Sequence, residues 1–263
     1  MREYTIAGGL TDAQRLARQA HVMARATEAF LARVGLASAW SCLDVGCGDG
    51  QVTIAMARAG ARAVGVDVDD EALDIAREAA ERAGVRADFV HADAARPVER
   101  GAFDLAYARL LLGHLVDPSA AVRAMAAEVR PGGAVAFEEL FLGTLHSEPP
   151  APALDRLQEV YGATVRYHGA DPTIGPRLRA ILSAAGLQAV QEDTVVNRMD
   201  TVDDKLFLAQ LVRNMRTAML EAGAATAAEI DALEVDVAQA ARNPATVWHQ
   251  ARVHQVWGRR ASR

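Results

Sequence analysis

Cysteine is scarce in this chain of 263 residues, where only Cys42 and Cys47 occur. Two cysteines cannot build the disulfide framework that stabilises small secreted domains, so the composition favours an intracellular protein. The first residues, Met1 to Leu10, also lack the apolar core of a secretory signal peptide. We therefore predict a cytoplasmic location.

Long uncharged runs and an excess of positive charge are lacking as well. No uncharged run approaches the roughly 18 residues of a membrane-spanning helix, so we expect no membrane partner. Lysine and arginine total 28 against 34 aspartates and glutamates, which gives a net charge of −6. Nucleic-acid binding usually requires a basic face, so we expect no nucleic-acid partner either. The oligomeric state stays open between monomer and homodimer.

A glycine-rich turn follows the first largely apolar run of the chain. Residues Trp40 to Val45 predict a buried strand, and the alanine-rich stretch Val52 to Ala59 predicts a helix. Between them, Gly46, Gly48 and Gly50 let the backbone turn tightly and let a ligand approach without a Cβ atom in the way. A strand, a glycine turn and a helix in this order build a site where backbone N–H groups face a ligand.

The charges of this turn indicate which ligand it accepts. A phosphate-binding P-loop needs a lysine at its end, but no lysine or arginine lies between Ser41 and Ala57. Asp44 and Asp49 flank the glycines instead, and Gln51 stands where a dinucleotide-binding turn would place its third glycine. Carboxylates repel a pyrophosphate and attract an ammonium or sulfonium group. The turn therefore favours a cationic ligand.

A further acidic residue ends the next predicted strand. The apolar run Ala63 to Val66 leads directly to Asp67, seventeen residues after Gly50. An acid at the tip of the second strand can accept hydrogen bonds from both hydroxyls of a ribose. We therefore expect a ligand that carries a nucleoside.

With this turn and this acid, the chain resembles the class I S-adenosylmethionine-dependent methyltransferases of the small-molecule type. Five segments match motifs of that family in order: Leu43–Gly50, Val64–Asp67, His91–Ala94, Phe103–Arg109 and Arg130–Gly133. The resemblance is strong over residues 40–140 and loose elsewhere. It implies S-adenosylmethionine as the cofactor and S-adenosylhomocysteine as the product.

The alternation of apolar strands with helices predicts an α/β protein with a doubly wound sheet. The resemblance makes this a Rossmann-like sheet of seven strands, mostly parallel, with an antiparallel last strand. We expect strands near 40–45, 63–67, 86–91, 103–108, 133–139, 187–196 and 246–257. We expect helices near 12–34, 51–60, 70–83, 118–130, 153–161, 173–185, 200–222 and 226–241, with an irregular stretch up to Gly169.

We interpret the whole chain, 1–263, as a single methyltransferase domain. An N-terminal helical flap of about 1–36 would precede a cofactor-binding core of about 40–140. Segments of about 141–170 and 200–243 would form a lid over the substrate. From the flap, Tyr4, Arg15 or Gln19 would reach the methionine end of the cofactor. Four side chains are expected to pack the core of the lid, with the alternative that some of them line an apolar substrate pocket: Met199, Phe207, Met215 and Met219.

The resemblance implies specific contacts with the cofactor. Asp67 would bind the ribose hydroxyls, Asp93 the adenine amino group, and the Ala94 N–H a ring nitrogen. Arg109, just past the fourth strand, either touches cofactor or substrate or is a solvated surface arginine. The complete predicted cofactor-binding set is Asp44, Gly46, Cys47, Gly48, Gly50, Asp67, Val68, Asp93, Ala94 and Arg109.

A hydroxyl or amine acceptor can require a base that takes its proton. Our candidates are His146, expected in the loop after the fifth strand where the substrate should lie, and His114, after the fourth strand; His168 is a third. Each could instead be a packed or exposed histidine without a role. Glu138 and Glu139 end the fifth strand, and one of them is expected to face the pocket, where it could bind an amine or a metal. Because no His, Cys and Asp cluster has ligand spacing, we predict no metal site.

The favoured function is therefore methyl transfer from S-adenosylmethionine to oxygen, nitrogen or carbon of a small molecule, and by analogy we expect a role in secondary metabolism. One alternative is a cyclase-type enzyme on the same fold that keeps the cofactor as a structural element. A nucleotide-dependent oxidoreductase and a non-catalytic binding protein are two others. Binding of NAD without binding of S-adenosylmethionine would favour the oxidoreductase.

Overall fold

Seven strands form the central sheet of the computed structural model, which describes residues 10–96 and 103–262 of the chain. The strands lie in the order β3-β2-β1-β4-β5-β10-β7. They are β1 (Ser41–Val45), β2 (Arg62–Asp67), β3 (Ala87–His91), β4 (Phe103–Arg109), β5 (Val129–Phe141), β7 (Gln188–Val195) and β10 (Arg252–Arg259). Strand β10 is antiparallel to both of its neighbours, whereas the pairings among β1 to β5 are all parallel. The predicted fold class is confirmed.

Nine α-helices lie within the described residues. They are α1 (Leu10–Val34), α2 (Gln51–Arg58), α3 (Asp70–Ala83), α4 (Pro118–Glu128), α5 (Pro152–Tyr167), α6 (Leu178–Ala184), α7 (Val202–Asn214), α8 (Arg216–Glu221) and α9 (Ala227–Arg242). Short 3-10 turns span Leu112–His114 and Gly175–Arg177. None of the described helices has both the length and the apolarity needed to cross a membrane.

Local sequence explains where the helices of the core begin. The Asp69 side chain accepts hydrogen bonds from the backbone N–H groups of Glu71 and Ala72 and so caps α3. Asp117 caps α4 in the same way, with Pro118 at the first helical position. These caps fix the residues at which α3 and α4 begin.

The central strands are buried on both faces. In β4, the side chains of Leu105, Ala106, Tyr107 and Ala108 are all fully buried. Helices cover a parallel sheet on both sides, so its central strands are apolar without alternation. The apolar side chains form two separate clusters at the sheet. One cluster includes Leu43, and the other includes Leu105 and Tyr107, which pack under α1.

A second sheet lies beside the helices that follow β5. It has three strands in the order β6-β9-β8: β6 (His146–Glu148), β8 (Arg198–Met199) and β9 (Val247–His249). We call this sheet together with α5, α7, α8 and α9 the lid. Its apolar core contains all four side chains predicted to pack there, Met199, Phe207, Met215 and Met219, around the fully buried Trp248.

Several predicted boundaries are corrected by the structure. The single last strand expected at 246–257 is two strands, because the chain leaves β9 at Gln250 and Ala251 and enters the other sheet as β10. The Gln250 N–H donates to the Asn197 carbonyl at 2.8 Å, which bends the chain there. Helix α5 continues through the expected irregular stretch to Tyr167, and the predicted helix 200–222 is interrupted at Met215.

The predicted domain boundaries stay predictions. Tyr4, one of the flap side chains expected at the cofactor, lies outside the described residues, as does the side chain of Arg15. Gln19 of the same helix lines the cavity described below. Helix α1 also packs its Val22 against the lid core, so the predicted flap and the lid are continuous in space.

Candidate functional site

A cavity of about 570 Å³ lies between the edge of the large sheet and the lid. The carboxyl ends of β1, β2, β3 and β4 form its floor, as expected for a ligand site in an open parallel sheet. Helices α5 and α7 contribute mainly apolar side chains to its roof, and Gln19 and Ala20 of α1 close one side. The cavity thus has an acidic, glycine-rich half and an apolar half.

The glycine turn has the backbone that its sequence predicts. Gly46, Gly48 and Gly50 all have positive φ angles, of 71°, 52° and 77°. A Cβ atom on Gly46 would lie 2.9 Å from Leu111 Cδ1, and one on Gly50 would lie 2.8 Å from Ala76 Cβ. Both contacts are shorter than real Cβ atoms make. The turn therefore needs glycine for its conformation and for its close packing.

Asp67 holds this turn from the neighbouring strand. Its Oδ2 accepts a hydrogen bond from the Gly48 N–H at 2.8 Å, and its Oδ1 accepts from the N–H groups of Val68 at 2.7 Å and Asp69 at 3.1 Å. The carboxylate is thereby fixed at the edge of the cavity, which it lines together with Val68. Oδ1 already accepts two hydrogen bonds, so the further acceptor capacity for a ligand hydroxyl lies on Oδ2.

Asp44 and Asp49 place buried carboxyl groups beside the turn. Burial raises the pKa of Asp44 to about 6, although Thr53 donates a hydrogen bond to it at 2.6 Å. Burial raises the pKa of Asp49 as well, and in both cases the positive charge of Arg109 acts in the opposite direction. A cationic ligand group placed beside these carboxyls would stabilise their charged forms, whereas a phosphate would oppose them.

Arg109 reaches the turn from β4, although the turn itself contains no basic residue. It lines the cavity, and one of its guanidinium nitrogens lies 3.5 Å from Thr27 Oγ1. Two carboxyl groups and one guanidinium thus meet at this end of the cavity. A zwitterion that carries both an ammonium and a carboxylate, such as an amino acid, complements that arrangement.

Cys47 is a packed side chain. Burial and the neighbouring carboxylates of Asp44 and Asp67 raise the pKa of its thiol, so it stays protonated. A Cβ on Gly65 would lie 2.9 Å from its sulfur. Gly65 lies within the second motif, Val64–Asp67, and its lack of a side chain leaves room for the Cys47 sulfur behind the turn.

The two predicted site residues that follow β3 lie at the same edge of the sheet as the glycine turn. Asp93 and Ala94 both line the cavity. The Asp93 Oδ1 accepts a hydrogen bond from the Ala95 N–H at 2.9 Å, which orients the carboxylate in its turn. All ten predicted cofactor-binding residues except Gly50 line the cavity, and Gly50 supports it from behind as the N-cap of α2.

Two of the three candidate bases line the cavity and one does not. His114 and His168 line the cavity, and His168 Nε2 lies 3.3 Å from the Ala218 carbonyl oxygen. His146 does not lie in the expected loop: it belongs to β6, is exposed, and does not line the cavity. Its side chain is on the outer face of the lid sheet, so its position does not support a role as base.

The two glutamates at the end of β5 face opposite ways. Glu138 points under α1, where Tyr107, Thr27 and Gln255 donate hydrogen bonds to it. Glu139 is the one that lines the cavity.

Glu139 has an unusual environment. Its Oε1 accepts hydrogen bonds from the N–H groups of Leu111 at 2.8 Å and Leu112 at 2.6 Å. Burial nevertheless raises the pKa of Glu139 to about 7, because these hydrogen bonds offset only part of the cost of burying its charge. A carboxyl group that titrates near neutrality in a cavity is suited to accept a proton.

Met199 and Phe207, two of the four side chains weighed for an apolar pocket, line the apolar half of the cavity, but its other residues were not identified from the sequence. Its lining includes Leu142, Leu145, Leu157, Tyr161, Phe207 and Leu211, all from the lid or the segment leading to it. The amide oxygen of Gln158, another lining residue, is buried without a hydrogen-bond partner. Helical spacing could have shown that these residues are apolar, but not that they face a cavity.

Comparison with known proteins agrees with this geometry. Residues 43–137 match a family model described as a methyltransferase domain. A ubiquinone biosynthesis O-methyltransferase of Shewanella pealeana is 41% identical over 100 residues, which cover 37% of this chain and 42% of that protein. The chain therefore matches less than half the length of this curated relative.

Two solved structures share the fold. The YcgJ protein of Bacillus subtilis has a TM-score of 0.60 at 16% identity, over 92% of this chain and 99% of that one. The [4+2]-cyclase SpnF has a TM-score of 0.58 at 21% identity, over 91% of this chain and 82% of that one.

The matched segment begins in β1, includes the glycine turn, Asp67, Asp93 and Arg109, and ends in β5. It therefore contains all five motifs on which the resemblance rests. Residues 43–137 of this chain thus match a methyltransferase domain, and the chain as a whole shares the fold of the two solved structures.

Proposed function

We propose that this protein is an enzyme that transfers a methyl group from S-adenosylmethionine to a hydroxyl oxygen of a small, largely apolar molecule. The observation that carries the proposal is the division of one cavity into an acidic half at the glycine turn and an apolar half under the lid, with Glu139 between them. When bound, S-adenosylmethionine supplies a methyl group on a positively charged sulfur.

The cofactor would occupy the acidic half. Asp67 would bind the ribose hydroxyls, and Asp93 with the Ala94 N–H would bind the adenine ring. Asp44 would attract the ammonium group of the methionine moiety, and Arg109 would attract its carboxylate. The charges support this assignment, because buried carboxyls with raised pKa values gain stability from a nearby cation.

Replacement of Asp67 by alanine should weaken S-adenosylmethionine binding by about 1–3 kcal/mol, or roughly 5- to 150-fold in Kd. The variant would lose the hydrogen bonding to the ribose and also the acceptor that holds the Gly48 N–H. Calorimetric titration measures the change, and Asp74→Ala, an exposed aspartate on α3 paired with Arg77, is the matched control. Equal affinity in the Asp67→Ala variant and the wild type would refute the assignment.

The acceptor would occupy the apolar half, where lid side chains exclude water from the reacting atoms. Glu139 takes the proton from the acceptor hydroxyl, since its pKa of about 7 matches this task. His114, which also lines the cavity, stays the second candidate for this role. An oxygen acceptor is further supported by the relative's name, which describes an O-methyltransferase.

We also propose a cytoplasmic enzyme without nucleic-acid or membrane partners, as monomer or homodimer. Two free, buried cysteines and a negative net charge are the support for this part.

Incubation with S-adenosylmethionine and a panel of phenols and catechols with apolar side chains tests the proposal. We expect S-adenosylhomocysteine and a methylated product in equal amounts, detected by mass spectrometry, and no S-adenosylhomocysteine without acceptor. Tight retention of S-adenosylmethionine with no turnover of any acceptor would contradict methyl transfer. That result would instead favour a cyclase-type enzyme that keeps the cofactor as a structural element.

A further inference from the structure

We propose that His146, Glu148 and His249 form a binding site for a divalent transition-metal ion of the Zn²⁺ type on the outer face of the lid sheet. One potential ligand atom from each of these side chains lies within 4.8 Å of the other two. His146 and His249 are 103 positions apart in the sequence, which explains why ligand spacing along the chain predicted no metal.

Strand register brings the three side chains together. Strands β6 and β9 are antiparallel, with His146 directly opposite His249 and Glu148 opposite Val247. Residues directly opposite each other in an antiparallel pair share a face of the sheet, and so do residues two apart along one strand. The two imidazoles and the carboxylate therefore project from the same face.

The opposite face of the same strands anchors the site. Ser147, Trp248 and Met199 alternate with the ligand candidates and are all buried, with Trp248 and Met199 fully inside the lid core. Ser147 also donates a hydrogen bond from its hydroxyl to the Pro149 carbonyl at 2.8 Å. The backbone that carries the candidate ligands is thus fixed, while the ligand side chains are free to adjust.

The hydrogen bond of His146 is one that metal-ligating histidines commonly make. His146 Nδ1 lies 3.0 Å from the Thr144 carbonyl oxygen, which accepts a hydrogen bond when that nitrogen carries the proton. The lone pair is then on Nε2. A ligand histidine in a metal site commonly donates its other N–H to a backbone carbonyl in this way. The His146 and His249 rings stack nearly parallel, with 4.6 Å between centroids and 9° between planes, so they are adjacent but one ring must rotate for both to bind one ion.

The donor set suits Zn²⁺ and similar borderline ions. Two imidazoles and one carboxylate are typical ligands of zinc, and three protein ligands leave a fourth position for water. Zinc–ligand bonds of about 2.1 Å place tetrahedral ligand atoms about 3.4 Å apart, so side-chain rotations must close the cluster further. Arg198 lies opposite His249 in the sheet, but it is paired with Asp200 at 2.9 Å, which offsets its charge.

The position of the site indicates a structural role. None of the three residues lines the cavity, but the segment before β6 supplies Leu142 and Leu145 to it, and the residues after β9 are Gln250 and Ala251, which also line it. An ion bound to both strands would hold these two segments together. Metal binding would therefore stabilise the lid.

Titration of the chelator-treated full-length protein with Zn²⁺ alone tests the proposal, with no cofactor or acceptor present. We expect one ion per chain and a higher Tm on Zn²⁺ addition. His249→Ala and His146→Ala should each weaken binding by at least about 10-fold, because each removes one of three ligands. His21→Ala, an exposed histidine on α1, is the matched control and should bind like the wild type. Co²⁺ in place of Zn²⁺ should give visible absorption that the two site variants lack.

Failure to bind one Zn²⁺ per chain, or equal binding by His249→Ala and the wild type, would overturn the proposal. Because the readouts are stoichiometry, Tm and absorption, they do not depend on methyl transfer. The methyltransferase assignment can therefore fail while the metal site stands, and the reverse is equally visible.

Discussion

Replacement of Glu139 by glutamine is expected to lower kcat about 10²- to 10⁴-fold, the usual contribution of a positioned base. Glutamine keeps the size of the side chain and an oxygen that can accept from the Leu111 and Leu112 N–H groups. It cannot take the proton of an acceptor hydroxyl. Cofactor affinity should change little, so steady-state kinetics and calorimetry together separate catalysis from binding.

The pH profile distinguishes a base from a structural residue. The pKa of Glu139 is raised to about 7, so the active, deprotonated fraction grows as pH rises and kcat should increase between about pH 5 and pH 8. This rising limb should be absent in Glu139→Gln. Glu159→Gln, a surface glutamate of α5 beside Arg156, should keep both the rate and the limb. A Glu139→Gln variant with the wild-type pH profile would show that the base is another group, with His114→Gln the next variant to measure.

The raised pKa of Glu139 also affects the free energy of unfolding. The ordinary pKa of a glutamate is 4.5, whereas Glu139 in the folded protein keeps its proton up to about pH 7. The stabilisation by the protonated form is therefore fully present below pH 4.5 and is lost as pH rises through about 7. Glu139→Gln should lack this loss, which urea denaturation at several pH values would measure.

Replacement of Gly50 by alanine should destabilise the fold by about 2–5 kcal/mol and abolish tight cofactor binding. A left-handed conformation costs a non-glycine residue about 1–2 kcal/mol, and Gly50 has a φ of 77°. Overpacking adds about 1–3 kcal/mol, because the new Cβ would lie 2.8 Å from Ala76 Cβ and 2.9 Å from Phe89 Cε1. Gly50 also begins α2, so a shift there displaces the cofactor turn.

Gly84 provides the matched control for this substitution. It has a φ of 67° at the end of α3, and a Cβ there would meet no atom within 4 Å. Gly84→Ala should therefore show the conformational cost alone, about 1–2 kcal/mol. Urea denaturation of both variants isolates the packing effect at Gly50. Equal destabilisation of the two would mean that the turn is not closely packed against α3 and β3.

The parts of the fold and the site that depend on interactions within a few residues could be predicted from the sequence. Glycines with positive φ, helix caps such as Asp69 and Asp117, and acids at strand ends act within a few residues of where they stand. Parallel strand ends then meet at one edge of the sheet, so Asp44, Asp67 and Asp93 could be brought to one site from the sequence alone.

Features set by long-range packing could not be predicted in this way. Which of Glu138 and Glu139 faces the cavity depends on the register of β5 with β10 and on the helices that cover each face. The location of His146 depends on β9, a strand from the far end of the chain that joins a sheet with no local signature. Arg109 balances the charges of Asp44 and Asp49 only because β4 lies next to β1.

Calorimetric titration of the wild-type protein with S-adenosylmethionine and, separately, with NAD tests the charge argument most directly. Binding of S-adenosylmethionine at one site per chain, weakened in Asp44→Asn, with no heat from NAD, is the predicted result. Saturable binding of NAD with none of S-adenosylmethionine would show that a turn flanked by buried carboxyls accepts a phosphate chain, and would contradict the account.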